Sequence, residues 1–204
     1  MFAGIVDSIG ILIFKEKSKG FDTIKIQTQK GFTERLKKGA SVAVNGVCLT
    51  AKSSSSNCLE FDVVKETLLL TNLSELQDKD KVNLERSITA ATEIGGHLVS
   101  GHVHGTAKIV SIEPISKGAK DIVMELPNDL MEYVFYKGYI AINGCSLTVG
   151  NLENNSIKVH LIPETLEITN LNDLTAGDKV NVEIDQNSIM TVDTIKKVLS
   201  KKED

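Results

Sequence analysis

The sequence predicts an all-β protein made of two tandem homologous six-stranded Greek-key-like β-barrels with short helices, followed by a C-terminal α-helix. Three observations lead to this fold class: an internal repeat, short apolar runs of period two, and a change to helical spacing near the C-terminus. Period-two runs separated by turn residues are typical of barrels and sandwiches, and a repeat of about 100 residues indicates two copies of one domain.

The repeat is carried by three blocks at one spacing. NGVCLT begins at Asn45 and NGCSLT begins at Asn143, 98 residues later. ETLLLTNL pairs with ETLEITNL, and DKVNLE pairs with DKVNVE, at the same spacing, so that fifteen of twenty aligned positions are identical. FAGIV and VSGHV match more loosely, at a spacing of 97. We therefore divide the chain into an N-terminal barrel at 1–90, a C-terminal barrel at 97–187 and a tail at 188–204.

Each copy contains short alternating runs bounded by Gly, Asn and Asp, such as GILIF, DTIKIQT and KVNLE in the first and AKIVSI, DIVMEL and KVNVEI in the second. Closing such strands into a barrel removes exposed edges. The stretches 31–39 and 127–138 are each predicted to be a helical insertion. The ETL…TNL blocks predict a further helical turn, and SSSSN at 53–57 predicts a turn between strands.

The tail lacks Gly and Pro, and Val192, Ile195 and Leu199 fall at helical spacing. We predict a helix of about three turns with Ser188 near its cap. Such a helix packs on its own domain or mediates oligomerisation, and we favour oligomerisation.

Composition excludes several classes of partner. A net charge of −4 and 4% aromatic residues argue against nucleic acid. No apolar run approaches the ~18 residues of a membrane span, and the N-terminus has no basic region of a signal peptide. Three cysteines without CxxC spacing predict free thiols in a reducing compartment, so we expect a cytoplasmic protein without membrane contact.

The two copies differ at polar positions. Cys48 aligns with Ser146, Ile5 with His102, and Ser87 with Asp185, whereas His97 has no counterpart. The matched pairs are Thr50 with Thr148, Glu66 with Glu164, and Thr67 with Thr165. This combination predicts two similarly shaped pockets for similar molecules, with reactive groups distributed unequally between them.

Each divergent residue also has a structural explanation. Cys48 is explained as a small buried residue, Ser146 as a turn hydroxyl, and Asp185 as a cap of the terminal helix. The histidines of EIGGHLVSGHVHG (93–105) fit a glycine-rich turn or a metal site, since His102 and His104 share a strand face. A zinc site needs three or four ligands. We therefore expect no metal.

Long motifs resemble the riboflavin synthases of the alpha-chain type, a lumazine-binding double-barrel family. They are MFAGIV, VNGVCLT, ETL…TNL, EIGGHLVSGH, YKGYIAINGCSLTVG, VHLIPETLEITNL and VNVEID, in family order. The resemblance implies two six-stranded barrels and a homotrimer formed through the terminal helices. It implies dismutation of two 6,7-dimethyl-8-ribityllumazine molecules into riboflavin and 5-amino-6-ribitylamino-uracil by four-carbon-unit transfer, without metal or redox cofactor.

The resemblance also implies the site residues. The catalytic candidates are Cys48, His97, His102, Ser146, Thr148 and Asp185. Substrate contacts in the N-terminal barrel are expected from Phe2, Gly4, Ile5, Val6, Ser41, Cys48, Leu49, Thr50, Asp62, Val63, Val64, Lys65, Glu66 and Thr67. Those in the C-terminal barrel are expected from Gly101, His102, Val103, Lys137, Ser146, Leu147, Thr148, Leu161, Ile162, Pro163, Glu164 and Thr165.

The expected roles follow from side-chain chemistry. A histidine exchanges protons near neutrality, which favours His102 for proton transfer. Cys48, Ser146 or an activated water would add to the acceptor ring, with Phe2 covering the site. Ala3 stands where the family usually has Thr, which removes a hydroxyl beside the ligand-binding backbone. A fluorescent lumazine- or flavin-binding accessory protein without turnover is the alternative.

Overall fold

The N-terminal barrel is built from the first seven strands. The computed structural model describes residues 1–55 and 57–201. The strands are β1 (Ser8–Lys17), β2 (Phe21–Gln27), β3 (Ser41–Val44), β4 (Val47–Thr50), β5 (Ser53–Ser55), β6 (Cys58–Val64) and β7 (Lys81–Arg86), with helix α1 (Lys65–Leu70) between the last two. They form one antiparallel sheet in the order β4-β3-β7-β1-β2-β6-β5.

The C-terminal barrel repeats this path and closes completely. Its strands are β8 (Gly105–Pro114), β9 (Lys120–Glu125), β10 (Tyr139–Ile142), β11 (Cys145–Glu153), β12 (Ser156–Leu161) and β13 (Lys179–Ile184), with helices α2 (Asn128–Met131) and α3 (Pro163–Ile168). The closed order is β10-β11-β12-β9-β8-β13. The predicted double barrel is confirmed.

The extra strand of the first barrel is a split version of β11. Residues matching β11 divide into β4 and β5 because the chain kinks at Ala51 and Lys52. The kink remains hydrogen-bonded: Ala51 N donates to Ala40 O at 2.9 Å, and Lys52 N donates to Glu60 O at 2.8 Å. The N-terminal barrel is thus nearly closed and has the six-strand plan of its partner.

Two separate hydrophobic cores fill the barrels, as the alternating pattern predicts. Leu12, Ile24, Phe61 and Leu84 are fully buried in the first. The equivalent alternating positions fill the second. At roughly 25 cal/mol for each Å² of apolar surface removed from water, these two cores are the main stabilising term of each barrel.

The helical insertion predicted at 31–39 is wrong. That stretch forms consecutive turns with i to i−3 hydrogen bonds, for example from Glu34 N to Gly31 O at 3.0 Å. Gly31 and Arg35 have φ of 93° and 59°, left-handed values that interrupt a helix. At 127–138 only the four residues of α2 are helical. Of the turn predicted at 53–57, residues 53–55 form β5, and Ser56 lies outside the described residues.

The ETL…TNL helical turns are confirmed as α1 and α3, and the terminal helix is confirmed as α4 (Gln186–Ser200). The cap of α4 is Asp185 rather than Ser188, because the Asp185 carboxylate accepts the Asn187 amide at 3.2 Å. Ile189 packs on the C-terminal core, and Tyr133 donates to Asp193 at 2.9 Å. The predicted end of this segment, 202–204, lies outside the described residues. No helix in the described part of the chain is both long and apolar enough to span a membrane.

A closed ring of four buried asparagines joins the two barrels. Asn45 donates to Asn72 at 3.4 Å, Asn72 to Asn143 at 3.1 Å, Asn143 to Asn170 at 3.3 Å, and Asn170 back to Asn45 at 3.0 Å. Each member of the N-terminal half is related to one in the C-terminal half by the repeat. The junction therefore has pseudo-twofold symmetry.

Two further asparagines connect the ring to the strands. Asn83 donates to Asn143 O at 2.9 Å, and Asn181 donates to Asn45 O at 2.8 Å, so each reaches into the opposite barrel. Gly46 and Gly144 allow the Asn-Gly turns to touch, since a Cβ on Gly46 would lie 2.6 Å from Gly144 N. The two NG blocks of the repeat thus form the contact between the copies.

Replacing Asn170 with Ala is expected to lower the free energy of unfolding by about 2–4 kcal/mol, because it leaves the buried Asn143 amide N–H without its acceptor and removes one of the two hydrogen bonds to Asn45 Oδ1. Urea titration followed by circular dichroism measures this change. Asn151→Ala, at an exposed position of β11, is the control and should stay within about 0.5 kcal/mol of the parent. Equal stability of both variants would contradict an energetic role for the ring.

Candidate active site

Two extended segments cross between the barrels, and we name residues 1–6 arm 1 and residues 98–103 arm 2. They pair with each other at their centre, where Phe2 N donates to Val99 O at 2.8 Å and Val99 N donates to Phe2 O at 3.0 Å. Because the arms occupy equivalent places in the repeat, this pair lies on the pseudo-twofold axis.

Each arm docks on the strand of the opposite barrel. The carbonyl of Gly4 accepts Ser146 N at 2.8 Å, and the carbonyl of Gly101 accepts Cys48 N at 2.9 Å. Val6 packs in the C-terminal core and Val103 packs against the N-terminal core. The arms are therefore exchanged.

This exchange corrects the predicted pocket membership. Gly4, Ile5 and Val6 belong with the C-terminal barrel, and arm 2 belongs with the N-terminal barrel. The repeat shows which positions are equivalent, but it does not show to which barrel an arm crosses. We name the groups around Cys48 the N-terminal half-site and those around Ser146 the C-terminal half-site. His102 follows the glycine that contacts Cys48, and Ile5 follows the glycine that contacts Ser146.

Glycine is required where the arms touch the strands. Gly4 has φ of 71°, and an added Cβ would lie 2.6 Å from the Ser146 Cβ. Gly101 has φ of 84°, and its Cβ would lie 2.4 Å from the Cys48 Cβ. Both values are below any real contact between such atoms. The matched glycines of FAGIV and VSGHV therefore place backbone directly against Ser146 and Cys48.

The C-terminal half-site contains a hydrogen-bonded histidine and serine. His97 Nδ1 lies 2.7 Å from Ser146 Oγ, and the imidazole stacks on the Tyr139 ring with centroids 5.1 Å apart and planes 16° apart. Burial lowers the pKa of His97, and the negative charge of Asp185 opposes this shift. A neutral imidazole bonded to a hydroxyl is the arrangement of a base with its nucleophile.

Asp185 and Thr148 complete this half-site. Asp185 caps α4, and its negative charge also acts on His97. Its place as a helix cap is therefore compatible with a place in the half-site. Thr148 is exposed, two residues after Ser146 on the same face of β11, and pairs with Tyr139. Leu147, between them, is buried.

The N-terminal half-site has the same frame with different groups. Cys48 is half-buried and Thr50 is exposed on one face of β4, and Ser41 pairs with Thr50. His102 is exposed on arm 2, and its amide donates to Ser100 Oγ at 3.1 Å. A thiol and an exposed imidazole thus replace the serine and buried imidazole of the other half-site.

Tyr139 was missed by sequence reasoning, although a signal was present. It aligns with Ser41 at the spacing of the repeat and is therefore another polar divergence beside the site. Its ring supports His97, which the N-terminal copy lacks.

The remaining residues predicted to contact the substrate lie where β6 and β12 end and the chain enters α1 and α3. Asp62 accepts Thr23 Oγ1 at 2.8 Å and Lys52 Nζ at 3.0 Å, and the Thr23 hydrogen bond, followed by that of Lys52, lowers the pKa of Asp62. Val64 and Ile162 are exposed and precede α1 and α3 as their N-cap residues. Exposed or half-buried side chains follow in both copies, namely Lys65, Glu66, Thr67, Pro163, Glu164 and Thr165.

Several residues predicted to contact the substrate have buried side chains or other contacts in the structure. Phe2, predicted to cover the site, is fully buried in a cluster with Ala43, Val99 and Ala141, because the arms pair there. Lys137 is exposed, has φ of 63° and lies over the Tyr136 ring. Five further predicted residues have side chains buried in the barrel cores, so only their backbone is available to a ligand. They are Val6, Leu49, Val63, Leu147 and Leu161.

Comparison with protein families gives one match for each barrel. The model of the lumazine binding domain matches residues 3–87 and 100–185. The two matched ranges are the two copies of the repeat.

Curated proteins match over 91–100% of the chain. A riboflavin synthase of Escherichia coli (strain K12) is 41% identical over 203 residues, covering 100% of this chain and 95% of its own. One of Chlamydia pneumoniae is also 41% identical, over 98% of each chain. One of Bacillus subtilis (strain 168) is 38% identical over 91% of this chain and 85% of its own.

Solved structures of LumP share the double-barrel fold. LumP complexed with riboflavin superposes with a TM-score of 0.83 at 30% identity, covering 90% of this chain and 99% of LumP. LumP complexed with 6,7-dimethyl-8-(1'-D-ribityl) lumazine gives 0.82 at 29% identity over the same shares.

The buried His97 predicts a specific pH dependence of stability. The pKa of His97 is lowered in the folded state from its usual value of about 6.5. At pH values near and below 6.5 this imidazole therefore binds more protons in the unfolded chain than in the folded protein. The stability that neutral His97 contributes is complete above that pH and is lost as the pH falls towards the lowered value. His97→Gln should therefore show a smaller decrease in Tm between pH 7 and pH 5 than the parent.

Tyr139→Phe is the matched control, because it retains the stacked ring and the histidine, and its decrease in Tm should equal that of the parent. Thermal unfolding in buffers of constant ionic strength measures all three proteins. A His97→Gln variant with the full decrease would show that another group carries it.

Proposed function

The chain belongs to the lumazine binding domain family, and from this premise we propose that it is a riboflavin synthase. Such an enzyme converts two 6,7-dimethyl-8-ribityllumazine molecules into one riboflavin and one 5-amino-6-ribitylamino-uracil. Relatives of that name match along the whole length of this chain at about 40% identity, which supports the proposal beyond a shared fold.

One observation carries the proposal most directly: the two half-sites share a frame but differ in their reactive groups. The reaction uses two copies of one molecule, of which one gives up a four-carbon unit and the other receives it. Two like pockets suit the identical substrates. The pair His97 and Ser146 in one half-site, with Cys48 and His102 in the other, suits the different reactions of donor and acceptor.

The side chains have chemistry that matches the steps. A methyl proton of one lumazine must be removed, and an imidazole that titrates near neutrality performs this transfer. The ring of the other lumazine must accept a nucleophile, and the Ser146 hydroxyl with its His97 base, or the Cys48 thiol, has that capacity. Aligning two substrates supplies much of the remaining acceleration, since orientation contributes about 7–11 kcal/mol.

A ligand-carrying protein without turnover is the alternative function, and it is not favoured. LumP, whose structures hold riboflavin or the lumazine, shows that this double barrel is suited to such ligands. A carrier needs the frame but not the reactive groups. In this chain the hydrogen-bonded His97 and Ser146, the Cys48 thiol and the exposed His102 all lie at the half-sites.

We further propose a cytoplasmic homotrimer held by α4. The side chains of Ile195, Val198 and Leu199 are each about half exposed on this helix, an apolar face that contact with other subunits would bury. All three cysteines are free, which fits a reducing compartment. Neither the reaction nor these residues requires a cofactor.

Purified protein mixed with 6,7-dimethyl-8-ribityllumazine alone is expected to form one riboflavin for every two lumazines consumed, with a chelator present. Absorbance and chromatography follow both compounds. Tight fluorescent binding with no riboflavin formed would identify a carrier and overturn the proposal.

Ser146→Ala and His102→Ala are each expected to lower kcat by about 10²-fold or more, since each removes a group used in nucleophilic or proton-transfer steps. Ligand affinity, measured by fluorescence titration, should change little. Thr194→Ala on the exposed part of α4 is the control. Unchanged rates in both site variants would remove these residues from the mechanism.

The assembly is tested with Ile195→Glu combined with Leu199→Glu, because two charges on an apolar contact face prevent its burial. Sedimentation should show monomer, and activity should fall as the trimer dissociates. Lys197→Glu, on another face of α4, is expected to remain trimeric. A fully active monomer would contradict a site that depends on subunit contact.

A further inference from the structure

Two buried glutamates lie behind the arms. Glu85 of β7 and Glu183 of β13 are equivalent in the repeat and are only 5% and 6% exposed. Neither aligns with a reactive group named above. A buried carboxylate is costly unless it is hydrogen-bonded, so the partners of these two indicate what they do.

Glu183 holds arm 2 with three hydrogen bonds. Ser100 N and Ser100 Oγ donate to its Oε1 at 2.6 and 2.7 Å, and Gly101 N donates to its Oε2 at 2.9 Å. On the other side, the carbonyl of the same Gly101 accepts Cys48 N. Arm 2 is therefore held between a carboxylate of the C-terminal barrel and the Cys48 strand of the N-terminal barrel.

Glu85 holds arm 1 less completely. Ala3 N donates to its Oε1 at 2.6 Å and the Gly4 and Ile5 amides also act on this carboxylate, but the buried Oε2 has no hydrogen bond of ordinary geometry in the described part of the chain. Ala3 occupies the position equivalent to Ser100 and has no hydroxyl to donate. We name the hold of each glutamate on its arm an anchor. The two anchors are unequal because Ser100 has a hydroxyl and Ala3 does not.

We propose that Glu85 and Glu183 are positioning residues of the two half-sites, each holding an arm against the reactive strand of the opposite barrel, and that Ala3 leaves the Glu85 anchor one donor short. This inference rests on the proposed function for its catalytic consequence. Glu183 fixes the backbone of Gly101, which contacts Cys48 and directly precedes His102. Glu85 fixes the backbone that contacts Ser146.

The titration of the two glutamates agrees with this difference in partners. Burial raises the pKa of Glu85 to about 7, and the nearby Asp7 adds to the rise, while the amides of arm 1 oppose it. Burial also raises the pKa of Glu183, and the Ser100 and Gly101 hydrogen bonds, followed by the nearby His102, lower it. Cys145, the other titratable group that interacts with Glu85, has its pKa raised to about 12 by burial and is uncharged at neutral pH.

The first test does not depend on catalysis. Glu183→Gln replaces one accepting oxygen with an NH₂ group, so either the Ser100 N–H or the Gly101 N–H loses its acceptor, which weakens the hold on arm 2 over Cys48. Alkylation of Cys48 by N-ethylmaleimide, followed by peptide mass spectrometry, should become about fivefold faster or more, as expected for the loss of a charge-assisted hydrogen bond.

Cys58, which is half-buried on β6, is the internal control, and its rate should not change. Glu85→Gln should also leave the rate at Cys48 unchanged. Ser100→Ala keeps the carboxylate, removes one donor and gives a smaller increase, so the test remains decisive if Glu183→Gln does not fold. Equal alkylation of Cys48 in the parent and in Ser100→Ala and Glu183→Gln would overturn the proposal.

The second test is the pH profile of kcat/KM for riboflavin formation. Ala3→Ser supplies the missing donor to Glu85, favours the ionised carboxylate, and should move the acid limb to lower pH by about half a unit or more. Ser100→Ala should move it to higher pH through Glu183. Profiles identical to the parent, with only Tm altered, would show a structural role alone.

The two tests separate the inference from the proposed function. A parent protein that forms no riboflavin removes the proposed reaction, but the alkylation rates still decide whether Glu183 holds arm 2. A parent that forms riboflavin while Cys48 is alkylated equally in all variants retains the function and removes the anchors.

Discussion

The ring of four hydrogen-bonded asparagines between the two barrels is the interaction on which the rest of the structure depends. Asn45, Asn72, Asn143 and Asn170 bond to one another, and every bond joins elements distant in sequence. Buried amides cannot exchange these partners for water, so only one relative placement of the barrels satisfies them all. That placement brings the arms together and puts each on the opposite strand.

The half-sites show how a duplicated frame accommodates two different reactive sets. The frame is held constant by two features that both copies share, the glycine whose backbone contacts the strand and the threonine two residues after Cys48 or Ser146. The reactive groups are on side chains, which diverge without disturbing the frame. His97 comes from the connection between the copies, and its ring is supported by Tyr139, so the C-terminal half-site contains an imidazole bonded to Ser146 that the N-terminal half-site lacks.

Much of this organisation could be predicted from the sequence, because it depends on local patterns. Alternation indicated the strands, the repeat indicated two barrels, and divergence at Cys48 and Ser146 indicated the candidate site. What failed has physical causes. The helix predicted at 31–39 is broken by Arg35, whose left-handed conformation no propensity indicates. The exchange of the arms and the burial of Phe2 depend on long-range pairing, which spacing along the chain does not specify.

The exchanged arms have a consequence for the ancestry and dissection of the chain. An isolated N-terminal barrel would carry arm 1, whose docking strand belongs to the other copy, and its own Cys48 strand would be left without a cover. Two such barrels satisfy each other by exchanging arms about a twofold axis, which is an isologous dimer formed by domain swapping. The present chain has the geometry of such a dimer with its two subunits joined in one polypeptide, so positions that would be identical in a dimer are free to differ within it.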